Sequence, residues 1–266
     1  MKPLSAFPAD IAKRVTCVFT DIDDTLTTDG RLPATAYAAL EALHDAGIFV
    51  APITGRPAGW CDMIARTWPI AGVVGENGAF YFAYDHAKRK MRRVYMLGTA
   101  IRAANRQKLA QVQARVLAEV PGAAVSADQA YREADLAIDF CEDVPALDTA
   151  AVQRITEIFE EEGAVAKVSS IHVNGWFGRY DKLSMTRRFA AEALGLDIET
   201  ARDRVVFCGD SPNDAPMFAY FPYACGVANV TDFSGRMAAE PAFVAARRGG
   251  NGFVDIAAML LKARQA

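Results

Sequence analysis

Five aspartates stand in two short stretches of this chain, each stretch closing an apolar run. Val15-Thr16-Cys17-Val18-Phe19-Thr20 leads into Asp21-Ile22-Asp23-Asp24-Thr25. Arg204-Val205-Val206-Phe207-Cys208 leads into Gly209-Asp210-Ser211-Pro212-Asn213-Asp214. Like charges gathered at one edge repel, so a fold that collects them calls for a cation, and hard carboxylate oxygens suit Mg²⁺ rather than zinc. A carboxylate beside such a cation can attack phosphorus, because the metal offsets repulsion between nucleophile and phosphate. Taken alone, Asp21 to Asp24 also reads as an acidic turn or helix N-cap. The second acidic stretch shifts the balance towards chemistry.

Two further segments join them. Pro52-Ile53-Thr54-Gly55-Arg56-Pro57 closes another apolar run. A Thr hydroxyl and free amides at a helix entrance make a phosphate cradle, and Gly55 lets the chain turn sharply. An ordinary N-cap has the same residues. Tyr180-Asp181-Lys182 precedes another helical pattern. An ammonium there would neutralise phosphate charge, although a lone Lys at a helix start is usually just solvated.

These groups need a scaffold, and the spacing supplies one. Val15 to Thr20, Ile48 to Ile53, Gly72 to Val74 and Arg204 to Cys208 are short, apolar runs of the kind buried on both faces of a sheet. Helical patterns over Pro33 to Ala46, Ala58 to Trp68, Leu183 to Leu194 and Asn213 to Ala219 lie between or after them, and Phe253 to Arg264 closes the chain as a helix. Strands separated by helices imply a parallel sheet, whose ligand sites form at the carboxyl edge. Between these halves the pattern changes. Ala79 to Tyr84 and Arg92 to Met96 read as a hairpin, Thr99 to Glu119 and Thr149 to Glu162 as helices, and Leu136 to Phe140, Ala164 to Ser169 and Ile171 to Val173 as strands. Residues 83–178 therefore read as an α+β insert in a parallel-sheet domain made of 1–82 and 179–266.

The four segments, in this order, resemble the haloacid dehalogenase superfamily, and specifically its phosphatases. The motif DxDx(T/V)(L/V) matches Asp21-Ile22-Asp23-Asp24-Thr25-Leu26, Thr54 matches the second motif, Lys182 the third, and the GDxxND turn Gly209 to Asp214 the fourth. The resemblance implies an α/β fold with a Rossmann-like core and an inserted cap. It makes Asp21 the nucleophile and Asp23 the general acid/base, with Thr54 and Lys182 holding phosphate. Mg²⁺ would sit on Asp21, the main-chain carbonyl of Asp23, and Asp210, with Asp214 holding the metal's water shell or orienting Lys182. Many capped members carry Gly where Asp24 stands. Because the insert lies between Thr54 and Lys182, it looks like the α+β cap of subgroup IIB, which includes sucrose-phosphate, mannosyl-phosphoglycerate and other sugar-phosphate phosphatases. The Asn-Gly-Ala segment Asn77 to Ala79 points the same way.

The implied function is a phosphatase acting on a small phosphorylated metabolite, a sugar phosphate foremost, through an aspartyl phosphate on Asp21. A phosphomutase of the phosphomannomutase type, or a non-catalytic phosphosugar-binding regulator, is the alternative. A dehalogenase is disfavoured, because a halide needs no protonation to leave and Asp23 would have no task. Substrate-side candidates are Gly55, Arg56, Asn77 and Asn213, with His172 and Asn174, which alternate onto one side of a strand. Arg56 is open to two readings, a grip on a second anionic group or a cap contact.

The net charge of -3 gives no reason to expect nucleic acid or an anionic membrane as partner. Arg102, Arg106, Lys108 and Arg115 read as the solvated face of the insert's first helix. Cys17, Cys61, Cys141, Cys208 and Cys225 form no CxxC pair, so free thiols in a reducing cytoplasm are expected rather than zinc or disulfides. No apolar run is long enough to span a bilayer.

Overall fold

The strand Cys17–Thr20 is apolar in both directions, and its neighbours explain why. In the computed structural model, which describes residues 1–169 and 171–265, Val18 packs with Leu40, Leu43, Ile256 and Leu260 on one side of the sheet. Cys17 and Phe19 pack with Met185, Phe189, Phe207 and Phe221 on the other. Helices Ala34–Asp45 and Gly249–Gln265 supply the first layer, and Lys182–Leu194 and Ala215–Tyr220 the second. A strand covered on both faces needs apolar residues at every position.

Six strands form the sheet, all parallel, in the order Lys2–Pro3, Phe243–Val244, Cys225–Gly226, Val205–Gly209, Cys17–Thr20, Phe49–Pro52. The register places Cys208 beside Thr20 and Thr20 beside Pro52. Asp210, Asp21 and Thr54 therefore emerge next to one another, from three adjacent strands at one edge. A single parallel bridge from Ile53 to Val74 carries the sheet on into Val73–Gly75, Phe80–Asp85 and Lys90–Tyr95.

That hairpin shares the packing of the parallel layer. Phe80 and Phe82 lie in the cluster of Val18, and Tyr81 in the cluster of Phe19. The join expected at residue 83 thus falls inside the strand Phe80–Asp85. Its polar tip, Asp85-His86-Ala87-Lys88, resembles a solvent-facing insert in sequence, while the aromatic residues before it cover the sheet edge.

Beyond the hairpin, four antiparallel strands run in the order Ala124–Val125, Asp135–Asp139, His172–Trp176, Val165–Val168. Helices Thr99–Glu119 and Thr149–Glu161 cover one face, burying Leu109, Val112, Val116, Ile155, Ile158 and Phe159 against Leu136, Ile138 and Val173. The alternating residues Asp135, Asp139, His172 and Asn174 are also buried but point away from that cluster. One face of this sheet is oil and the other is polar.

The arginine series does not behave as a uniformly solvated face. The Arg102 guanidinium lies 3.5 Å from the Tyr95 ring centre and 3.4 Å from Glu133, with its side chain only 12% exposed. It docks the start of the long helix on the hairpin. Arg115 ties that helix to the end of the next through Glu161 and Glu162. Cys17, Cys61, Cys208 and Cys225 are buried thiols and Cys141 is a partly buried one. Among the described residues no helix is long and apolar enough to cross a membrane.

Candidate active site

Asp21 follows the strand Cys17–Thr20 and stays tied to the sheet, its N–H donating to Cys208 O at 2.9 Å. Its Oδ1 accepts from the Ile22 N–H at 2.9 Å, and its Oδ2 lies 3.1 Å from Lys182 Nζ. Lys182 also reaches Asp214 Oδ1 at 2.8 Å. A cation in the first turn of a helix opposes the helix dipole, and this one is also buried, so helix stability is not what selects it. Asp181 caps the helix in a reciprocal pair with Ser184 and fixes where the Lys182 stem starts. Gly78 leaves room for that cap: at φ +105°, a β-carbon there would lie 2.0 Å from Asp181 O.

One oxygen each from Asp21, Asp210 and Asp214 lies within 4.8 Å of the others, all three residues being buried. Asp214 folds back so that its Oδ2 accepts the Asp210 N–H at 3.1 Å, over Gly209, where a β-carbon would lie 2.4 Å from that oxygen. Thr25 donates to Asp210 Oδ1 at 3.1 Å, and Asn229 to its Oδ2 at 3.1 Å. Asn229 further donates to Asp24 O and accepts from the Gly249 N–H. Asp24 itself has φ +54°, a left-handed conformation that favours glycine and that Asp and Asn tolerate best among other residues.

Burial, opposed by Lys182 and reinforced by Asp214 and Asp23, lifts the Asp21 carboxyl from the ordinary 3.8 to about 7. Burial with Asp214 and Asp21 pushes Asp210 well up. For Lys182 burial works against the charge, but Asp21 and Asp214 outweigh it and raise its pKa. One ammonium does not balance three buried carboxylates, so the donor set fits a divalent cation held on oxygen.

A pH dependence follows for the metal-free protein. Where a folded-state carboxyl pKa is raised, the native chain holds protons that the unfolded chain has released, so stability falls as pH rises through that window. For Asp21 the window runs from 3.8 to about 7. A cation that replaces those protons stabilises most where they are costly to remove. Mg²⁺ should therefore raise Tm more near about pH 7.5 than near about pH 5. Equal gains in the two thermal scans would contradict a metal site on these acids.

The carboxylate of Asp23 is outside this trio. The Arg56 fork holds it, with Nε 3.0 Å from each oxygen and Nη2 2.9 Å from Oδ1. Thr54 is fully buried, its Oγ1 accepting from the Arg56 N–H at 3.1 Å. Over Asp21 and Asp23 lies a small cavity of about 30 Å³. Gly55, Arg56, Ser211 and Asn213 line it from the parallel layer, and Arg132, Ser169, Ile171, His172 and Asn174 from the insert. Its polar wall is the insert's non-oily face. Asn77 is not in the lining. At φ +54° it packs beneath Gly55, whose added β-carbon would lie 3.2 Å from Asn77 Oδ1.

Several residues here carry no recognisable sequence signal. Arg132 has its guanidinium on Asp128, Asp135 and Gly55 O, and Asp135 also accepts from Asn174 at 3.2 Å. Glu76 is wholly buried and accepts from four backbone N–H groups: Ala58 at 3.0 Å, Glu133 at 2.8 Å, Ala134 at 2.6 Å and Asp135 at 3.2 Å. Burial and Asp135 push its carboxyl up to about 8, with Arg132 and the N–H donors pulling the other way.

Residues 18–118 match the family model of haloacid dehalogenase-like hydrolases. The fold of the chain is that of solved core-and-cap structures. A Thermoplasma acidophilum protein is 19% identical with TM-score 0.72, over 92% of this chain and 98% of that one. Sucrose-phosphatase from Synechocystis, solved with sucrose and phosphate, is 14% identical with TM-score 0.63, over 93% and 98%. A sugar phosphatase described as subclass IIB of the superfamily gives 14% and 0.63, over 94% and 98%. No curated protein matches the chain in sequence. Compared with those structures, the parallel layer takes the place of the core and the antiparallel insert that of the cap.

Proposed function

We propose that this chain is a Mg²⁺-dependent phosphatase of small phosphomonoesters, sugar phosphates foremost, that carries the phosphoryl group transiently on Asp21. The observation that supports it most is the setting of Asp21, one oxygen on Lys182 and the carboxylates of Asp210 and Asp214 alongside, at a small cavity between the parallel layer and the insert.

The residues divide the work as follows. Lys182 and the Ile22 N–H orient the Asp21 carboxylate, which attacks phosphorus on the side away from the leaving oxygen. Asp23, at the cavity wall, gives that oxygen a proton, then takes one from the water that cleaves the acyl phosphate. Thr54 and Lys182 face the phosphoryl oxygens, where charge stabilisation contributes most. When bound on Asp21, Asp210 and Asp214, a divalent cation supplies the charge that lets an anion approach a phosphate. The cap, which on packing grounds starts after the hairpin, near Gly98, shields the acyl phosphate from bulk water.

A neutral leaving group suits the cavity. Arg56 is shared among Asp23, Glu142 and Asp128, and Arg132 is matched by Asp128 and Asp135. Neither guanidinium is left over for a second substrate anion, so the grip on an anionic group gives way to the cap contact for Arg56. His172 and Asn174 offer hydrogen bonds suited to hydroxyls. Likeness to a sucrose-phosphatase and a sugar phosphatase points the same way.

Phosphate release from a panel of hexose and disaccharide phosphates is the test. Release with Mg²⁺ that chelator abolishes is expected. Phosphoryl exchange between sugars with no free phosphate would make the chain a mutase, and no turnover of any panel member would remove the reading.

A further inference from the structure

Asp23 is the group the proposed reaction needs most accurately aimed, and its carboxylate is held from outside its own loop. Three nitrogen-oxygen contacts of 2.9–3.0 Å from Arg56 hold it. Arg56 is itself held from the cap. Its Nη2 and Nη1 lie 3.3 and 3.4 Å from Glu142 Oε1, and its Nη1 lies 3.7 Å from Asp128 Oδ2. Trp60 covers the guanidinium face, 4.5 Å from the ring centre. The other oxygen of Glu142, Oε2, is 2.9 Å from His172 Nε2 on the cavity wall. Asp139 fixes the loop that carries Glu142, its carboxylate accepting the N–H groups of Cys141, Glu142 and Asp143 at 2.7–2.9 Å.

The row therefore runs His172, Glu142, Arg56, Asp23, from the wall that meets the leaving group to the group that protonates it. Its two middle members sit on opposite sides of the core-cap boundary, so their contact exists only with the cap down. We propose that Glu142 and Arg56 are positioning residues that aim the Asp23 carboxylate when the cap closes, tying proton delivery to cap closure. This rests on the phosphatase reading of the same site. An Arg fork suits the task because it grips two partners in one plane, which an ammonium does not.

A comparison of two aryl phosphates of similar shape isolates the effect. Phenolate is a poor leaving group, with an acid near pKa ~10 like tyrosine, whereas 4-nitrophenolate departs without a proton. Glu142→Gln keeps the shape and removes the charge, and Arg56→Lys keeps the charge and removes the fork. In each variant kcat/KM, which covers the steps up to transfer onto Asp21 and not the shared hydrolysis of the acyl phosphate, should fall for phenyl phosphate by about tenfold or more relative to 4-nitrophenyl phosphate, since positioned acid catalysis contributes about 10²–10⁴-fold. Losses of equal size on both substrates, or no loss on either, would overturn the proposal. A wild-type protein inactive on both would remove the phosphatase reading, and this one with it.

Discussion

Asp21→Asn leaves a folded protein whose turnover is lower by about 10⁴-fold or more, the scale of deleting an attacking group. The amide matches the carboxylate in shape but has no oxygen able to carry a phosphoryl group. Folding should not suffer. The Asp21 charge is opposed by burial and by Asp214 and Asp23, so a neutral side chain relieves repulsion, while Lys182 keeps Asp214 at 2.8 Å. Thermal scans of metal-free protein should show a Tm equal to or above that of the wild type. Retained turnover would remove Asp21 from the reaction. A large drop in Tm would mean that its role is structural.

Glu76→Ala destabilises the fold by about 4 kcal/mol, and Glu76→Gln does not restore it. The Glu76 carboxylate is the acceptor for Ala58 N–H at the start of a core helix and for three consecutive N–H groups, Glu133 to Asp135, where the cap sheet begins. Each buried donor left without a partner costs about 1–3 kcal/mol, and relaxation or entering water recovers part of the sum. Glutamine turns one end of the side chain into a donor facing donors, so the amide loses two acceptances and adds a clash of like dipoles. Denaturant unfolding measures the loss. A Glu76→Ala protein within about 1 kcal/mol of the wild type would show that water replaces the carboxylate easily.

What the sequence made legible was local. Asp21 and Asp210 follow apolar runs that can only be strands covered on both faces, and parallel pairing at Cys208 and Thr20 brings those acids together. Lys182 was legible only in company, since a lone Lys at a helix start is usually just solvated. The cap face was half legible. Period two along His172–Trp176 puts His172 and Asn174 on one side, but which side meets the core depends on Phe159 and Val173 packing behind it. The hairpin itself was legible in its two strand patterns and polar turn, but not that its aromatic run Phe80 to Phe82 packs with the parallel layer, since that depends on partners distant in the chain. Glu76 was not legible, since one buried acid bonded to backbone N–H groups leaves no spacing pattern. Arg132, Asp128 and Glu142 were missed for a related reason: their partners come from distant parts of the chain.

The account turns on one covalent event at one residue. During turnover of a phosphate ester with Mg²⁺, rapid quenching followed by borohydride reduction converts any aspartyl phosphate into homoserine, which peptide mass spectrometry places in the chain. Homoserine at position 21, absent without substrate and absent from the Asp21→Asn variant, is the predicted result. Phosphate release with no homoserine at position 21, or with homoserine at another aspartate, would contradict it.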